Sequence, residues 1–140
     1  NITEFKNFDL ITPNEKEARF SLADQDSTVG GLAGLLKKKT KYKNIILKLG
    51  SRGIVCCSGN VPEIYSIGSF TDNVLDAVGS GDALLAYSSL ILKTTNSIVA
   101  AGIIGSIAAA CECEIDGNKP INVDLVLQKI DSIEKKTQYN

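Results

Sequence analysis

The sequence contains no histidine, no methionine and no tryptophan, and only 6% of its 140 residues are aromatic. Without histidine, proton transfer near neutral pH must fall to a carboxylate, lysine, tyrosine or thiol. The lack of methionine extends to the initiator and points to a processed or excised piece of a longer chain. Excess charge of one sign is missing too: 15 basic residues face 16 acidic ones, leaving a net charge of −1. No field is therefore available to hold a nucleic-acid backbone or an anionic membrane surface. Long hydrophobic runs are absent, polar residues breaking every apolar window well before a membrane span, and nothing at the start reads as a signal peptide. A cytoplasmic location is the default expectation.

The four cysteines, Cys56, Cys57, Cys111 and Cys113, lack the two-residue gap of a zinc knuckle or a thioredoxin-type motif. Neighbouring residues on a strand point to opposite faces, so Cys56 and Cys57 are poorly placed to share a metal. With no imidazole available, the common zinc sites are excluded, and buried, unbridged thiols in a reducing compartment are expected. The lysines at 37–39, 41 and 43 fall at the end of a helical pattern, where cations complement the helix dipole and face solvent.

What is present reads as one α/β domain: 44% hydrophobic and 22% charged residues over a length that supports a single core. Phe8 to Thr12 is a short buried strand ending at Pro13-Asn14, followed by a helical run from Glu15 to Leu22. A second helix is expected from Ser27 or Thr28 to about Lys39, although Gly30, Gly31 and Gly34 each weaken it by about 1 kcal/mol relative to alanine. Asn44 to Leu49 is a second strand, parallel to the first because a helical crossover separates them. After Gly50-Ser51-Arg52-Gly53, the runs Ile54–Cys57 and Val61–Ile67 form a hairpin around Ser58-Gly59-Asn60. An irregular stretch leads to Gly79, and the helix from Ala83 to Leu92 is apolar enough to be buried on most sides. Ser97 to Cys111 is a helix of small residues suited to close approach. Val123 to about Lys135 is amphipathic and superficial. Tyr42, Tyr65 and Tyr87 read as packing residues.

In open parallel sheets, ligands bind beyond the carboxyl ends of the strands. The loops after the first two strands and the glycine turn at Gly79 could line one crevice there, provided the turn lies at the same edge. Gly79 and Gly81 at a helix entrance allow close approach to an anion, and the amides of Gly79, Ser80 and Gly81 meet the positive end of the helix dipole. An aspartate right after such a cradle would repel a bound phosphate, but it suits accepting a proton from an attacking hydroxyl.

The run Asp76-Ala77-Val78-Gly79-Ser80-Gly81-Asp82 resembles the Asp-x-x-Gly-Ala-Gly-Asp signature of PfkB-type, ribokinase-like carbohydrate kinases. The resemblance implies a three-layer, Rossmann-like α/β fold, of which this chain would be the C-terminal portion, with a mostly parallel sheet and an appended β-hairpin. It implies that Asp82 takes the proton from the sugar hydroxyl and that the Gly79, Ser80 and Gly81 amides form the anion hole. Asn14-Glu15-Lys16-Glu17 matches the family's Asn-x-x-Glu motif, which would make Asn14 and Glu17 organisers of magnesium and phosphates through water. Lys48, Gly50, Ser51 and Gly53 match the strand and Gly-x-x-Gly turn along the nucleotide, here ATP. The helix from Gly105 to Ala109 and the loop from Glu114 to Lys119 match the adenine wall. Asp76 becomes a candidate for a monovalent cation site, with potassium as the ion, although Ala77 replaces a frequent threonine. Thr12-Pro13-Asn14-x-x-Glu17-Ala18 and Asp116-Gly117-Asn118-Lys119-Pro120-Ile121 look closest to heptose-phosphate kinases.

Each motif has a plainer reading. Gly79 to Asp82 could be a glycine turn with a capping aspartate, and Asn14 and Glu17 a turn residue and a first-turn acid. Gly50 and Gly53 could merely join two strands, with Arg52 solvated, and Asp76 could simply shape its loop. Family members are about twice this long, and their N-terminal half supplies most sugar contacts, a double-glycine motif and a lid. The resemblance thus leaves two alternatives: an incomplete kinase, or a nucleotide-binding fragment without activity of its own. Partners follow accordingly: a sugar and a nucleotide, with a second copy or an N-terminal half pairing on an open sheet edge. Dinucleotide binding fits less well, since Leu84 stands where a Rossmann turn has its third glycine, and no Walker-type Gly-x4-Gly-Lys-Ser/Thr occurs.

Overall fold

In the computed structural model, which describes residues 1–59, 63–71, 78–115 and 120–138, four strands form one sheet. They are β1 (Leu10–Ile11), β2 (Asn44–Lys48), β3 (Ile54–Ser58) and β4 (Ile64–Ile67), and they lie side by side in chain order. Helices α1 (Glu15–Leu22) and α2 (Val29–Thr40) separate β1 from β2. Helices α3 (Ser80–Thr95), α4 (Ile98–Glu114) and α5 (Val123–Gln138) follow the sheet.

The period-2 alternation of β2 and β3 builds the layers. Ile45, Leu47, Val55 and Cys57 pack with Ala18, Leu22, Leu32 and Leu36 of α1 and α2. On the opposite face Ile46, Ile54 and Cys56 pack with Leu84 of α3 and Ile98 of α4. Each fully buried Ile or Leu contributes about 1.5–3 kcal/mol. The vicinal cysteines thus point into opposite cores, and burial pushes the Cys56 thiol up to about 12. A third core, with Ile107, Ala108, Cys111 and Val126, joins α5 to α4.

The small residues of α4 permit close packing. A Cβ on Gly102 would sit 2.4 Å from Cys56 Sγ, and one on Gly105 would sit 2.0 Å from Ser88 Oγ. Ser88, fully buried, in turn donates to the Ala101 carbonyl at 3.0 Å.

Three expectations need correction. The sheet is not mostly parallel: among the described residues only β1 and β2 pair in parallel, whereas β2–β3 and β3–β4 are antiparallel. The cause is the connection through Gly50–Gly53, which is too short for a crossover, so β3 must return beside β2. Helix α3 begins at Ser80 rather than Ala83, and it is not buried on most sides. Leu84 and Ser88 are its buried residues, whereas Leu85 and Leu90 are 41% and 60% exposed. The stripe of Leu84 and Ser88 at i, i+4 spacing is buried, Ala83 and Tyr87 pack part-buried against the third core, and Leu85 and Leu90 face outward. Finally, Cys113 is only half-buried, unlike the other three cysteines. Asn60 of the expected hairpin turn lies outside the described residues.

Candidate active site

Because β1 and β2 are parallel, their carboxyl ends share an edge, and backbone hydrogen bonds hold the two following loops in place there, one between the loops and one within the second. Lys48 N–H donates to Pro13 C=O at 2.8 Å, and Leu49 N–H donates to Gly53 C=O at 2.8 Å. Asn14 then starts α1, and a 3-10 turn over Gly50–Arg52 follows β2. Gly53 is required locally: its φ is +83°, and a Cβ there would lie 2.1 Å from the Ile67 carbonyl of β4. An ion pair between Arg52 and Glu15 ties the loop to α1, so Arg52 is an exposed but paired residue. Hydrogen bonding from Arg19, with further help from the Arg52 charge, holds the Glu15 carboxyl below its ordinary range.

The entrance of α3 comes to the same edge. Gly79 takes the N-cap position with φ 103°, a left-handed conformation that favours glycine, and no side chain caps the helix. Among the described residues, no side chain therefore caps the amides of the first turn. A Cβ on Gly81 would sit 3.2 Å from Lys48 Nζ, so the ammonium at the end of β2 reaches the glycine turn. Asp82 occupies the first turn of α3 and is exposed.

These elements enclose a cavity of about 400 Å³, within the size range of small-molecule sites. Of the expected residues, Asn14, Lys48, Gly50, Ser51, Gly53, Ser80, Gly81 and Ala109 line it. Glu17, Gly79, Asp82 and Gly105 do not, and Asp76 lies outside the described residues. Gly79 and Asp82 flank the lining pair directly. Gly105 instead sits in the α3–α4 contact described above, where a Cβ would meet Ser88. Glu17 is engaged in a capping box: Asn14 Oδ1 accepts from Glu17 N–H at 2.7 Å, and Glu17 Oε2 accepts from Asn14 N–H at 2.8 Å.

Sequence reasoning missed Lys16, Phe70 and Cys113, which line the cavity together with Ser106 of the expected Gly105–Ala109 wall. Lys16 stood inside a recognised motif, and Phe70 was the lone aromatic of an irregular stretch, a signal that could have been used. Cys113 carried no signal, because its side depends on how α4 lies against β3 and α3. Ser106 Oγ is buried and has no hydrogen-bond partner among the described residues. Such an orphan costs about 1–3 kcal/mol, which a ligand able to accept or donate would relieve.

The site therefore offers a glycine-entered helix N-terminus with a lysine beside it, and a mainly apolar wall bearing one unpartnered hydroxyl. That combination suits an anionic group joined to a flat, partly polar ring system, as in a nucleotide.

Comparison with known proteins finds the same fold elsewhere. The ribokinase of Thermotoga maritima superposes with a TM-score of 0.74 at 25% identity, covering 88% of this chain and 42% of that one. The ribokinase of Arabidopsis thaliana, solved with ribose and ATP, gives 0.72 at 21% identity and covers 87% and 40%. Phosphofructokinase-2 from Escherichia coli, in complex with substrates and products, gives 0.77 at 16% identity and covers 95% and 43%. The bifunctional protein HldE of Campylobacter fetus subsp. fetus is 30% identical over 105 residues, 72% of this chain and 22% of that protein. The chain thus spans less than half the length of each of these relatives. A family model, pfkB family carbohydrate kinase, matches residues 4–121, a span that holds both ends of the cleft, from the Asn14 turn to the Gly79 turn and the α4 wall. By fold, motif order and this match, the chain belongs to the pfkB family of carbohydrate kinases.

Proposed function

We propose that this chain binds ATP and carries the phosphoryl-transfer machinery of a carbohydrate kinase acting on a sugar or sugar-phosphate hydroxyl. The observation that carries the proposal is the uncapped entrance of α3, with Ser80 and Gly81 lining the same cleft as Lys48, and Asp82 exposed beside them. The amides of Gly79, Ser80 and Gly81 hold the transferred phosphoryl group, whose loose transition state calls for positioning and charge stabilisation more than covalent chemistry. Lys48 supplies the compensating positive charge. Asp82 accepts the proton of the attacking hydroxyl.

The nucleotide base lies along Ala109 and Phe70, and Ser106 turns its orphan hydroxyl toward it. Magnesium bound with the nucleotide would neutralise part of the phosphate charge. Asn14 and Glu17 order its water shell, Glu17 through the carboxylate oxygen left over from the capping box. Potassium at Asp76 belongs to the same proposal and rests on motif likeness alone. So does a heptose phosphate as acceptor, on the runs Thr12 to Ala18 and Asp116 to Ile121.

Among the described residues β1 is an edge strand, and a sugar-binding half, or a second copy, would add there. The 140 residues by themselves are expected to release no ADP in the presence of sugars. Steady, sugar-dependent ADP release by the purified chain would refute that division of labour. The binding function is tested by thermal stabilisation: ATP with magnesium should raise Tm, and NAD should not. A preference for NAD would overturn the kinase reading in favour of dinucleotide binding.

A further inference from the structure

Glu112 lies on α4, one residue before the cleft-lining Cys113, and its side chain packs against the glycine turn. A Cβ on Gly79 would sit 2.9 Å from Glu112 Oε1 and 3.4 Å from its Cδ. Two residues along the same turn, the Gly81 position has Lys48 Nζ as its neighbour at 3.2 Å. The entrance of α3 is thus held between one carboxylate and one ammonium. Among the described residues Glu112 makes no hydrogen bond or ion pair, so no partner neutralises its charge. Asp82 adds a second negative charge on the first turn.

An unpaired carboxylate this close to an anion cradle repels whatever anion enters. The repulsion scales with the charge that arrives, and it is only weakly screened at short range beside a low-dielectric wall. A nucleoside triphosphate stripped of metal carries roughly twice the negative charge of its magnesium complex, so the carboxylate penalises the bare form more.

Building on the nucleotide-binding function proposed above, we infer that Glu112 is a specificity-determining residue that makes the cradle select the metal-bound nucleotide over the metal-free one. It acts by charge alone and takes no part in proton transfer.

The test is the dissociation constant for ATP measured by calorimetry in excess magnesium and again in EDTA, for the unaltered chain and for Glu112→Gln. The substitution should tighten binding in EDTA by roughly tenfold and in magnesium by no more than about threefold, so the preference for the metal complex shrinks. Glu112→Ala should shift the ratio in the same direction, and it serves if the glutamine variant proves unstable by Tm. Neutralising the remote Glu4 as Glu4→Gln should leave the ratio unchanged. Binding of both forms with a ratio unmoved by either Glu112 variant overturns the inference while leaving the nucleotide site intact. An unaltered chain that binds neither form overturns the nucleotide reading itself, and this inference with it.

Discussion

Two helix entrances border the same cleft and are built in opposite ways. At α1 the entrance is closed: Asn14 and Glu17 satisfy each other's backbone amides in a capping box. At α3 it is open: Gly79 has no side chain to offer, and among the described residues no side chain caps the first-turn amides. Helices α2 and α4 side with α1, capped by Thr28 and Ser97. The contrast teaches that the motif at Asn14 and Glu17 has a structural duty wherever it also has a functional one. The motif at Gly79 to Asp82 has no such duty to explain it, because its aspartate caps nothing.

The comparison breaks most visibly at Asp82. In any form of the protein that transfers phosphate to a sugar, Asp82→Asn should lower kcat by on the order of 10²–10⁴ while nucleotide affinity stays within about threefold. Steady-state kinetics with a calorimetric titration checks both. A matching loss of affinity would mean that the residue shapes the cradle rather than moving the proton.

At the closed entrance, Asn14→Ala should lower stability by about 1 kcal/mol, read from urea unfolding, because an amide of α1 loses its acceptor. Glu17→Gln keeps an acceptor for the Asn14 amide and should leave stability within about 0.5 kcal/mol. It should still shift the magnesium dependence of ATP binding. An unchanged dependence would leave α1 with its structural duty only.

The cleft between the two entrances can be followed through Cys113. Alkylation under native conditions should modify Cys113 first, and ATP with magnesium should slow it, with peptide mass spectrometry as the readout. Cys56, buried and with its pKa pushed up to about 12, should stay unmodified until the chain unfolds.

The smallest effect concerns acid. The folded-state pKa of Glu15 lies below the ordinary value of 4.5, so its contribution is full above that value. It is lost as pH falls through the folded-state pKa. Its partner Arg52 is largely exposed, so the pair contributes well under about 1 kcal/mol. Arg52→Ala should therefore change stability slightly at neutral pH and not at all well below pH 4.5, as an acid titration of Tm would show.

Much of this was legible from residue order alone. The span of α1 from Glu15 to Leu22, the parallel β1–β2 pair and the opposed faces of Cys56 and Cys57 all follow from periodicity, caps and crossover length. The meeting of the first two loops at one edge was legible too, because parallel strands must end on the same side, whereas the Gly79 turn was expected there only on condition that it shared that edge. The return of β3 was misjudged even though the short Gly50–Gly53 link was in plain view. Its length should have outweighed the expectation of a parallel sheet.

Local chemistry written along the chain was therefore enough to mark the glycine turn at Gly79, the acid at Asp82 and the lysine at the end of β2. Only the tertiary structure decided that Gly105 serves helix packing, that Leu85 and Leu90 face outward, that Cys113 lines the cleft and that Glu112 packs against the Gly79 turn. The reason is geometric: α4 is small or apolar on nearly every side, so its sequence carries no preferred face. Its rotation is set instead by where Gly102 and Gly105 let it touch Cys56 and Ser88.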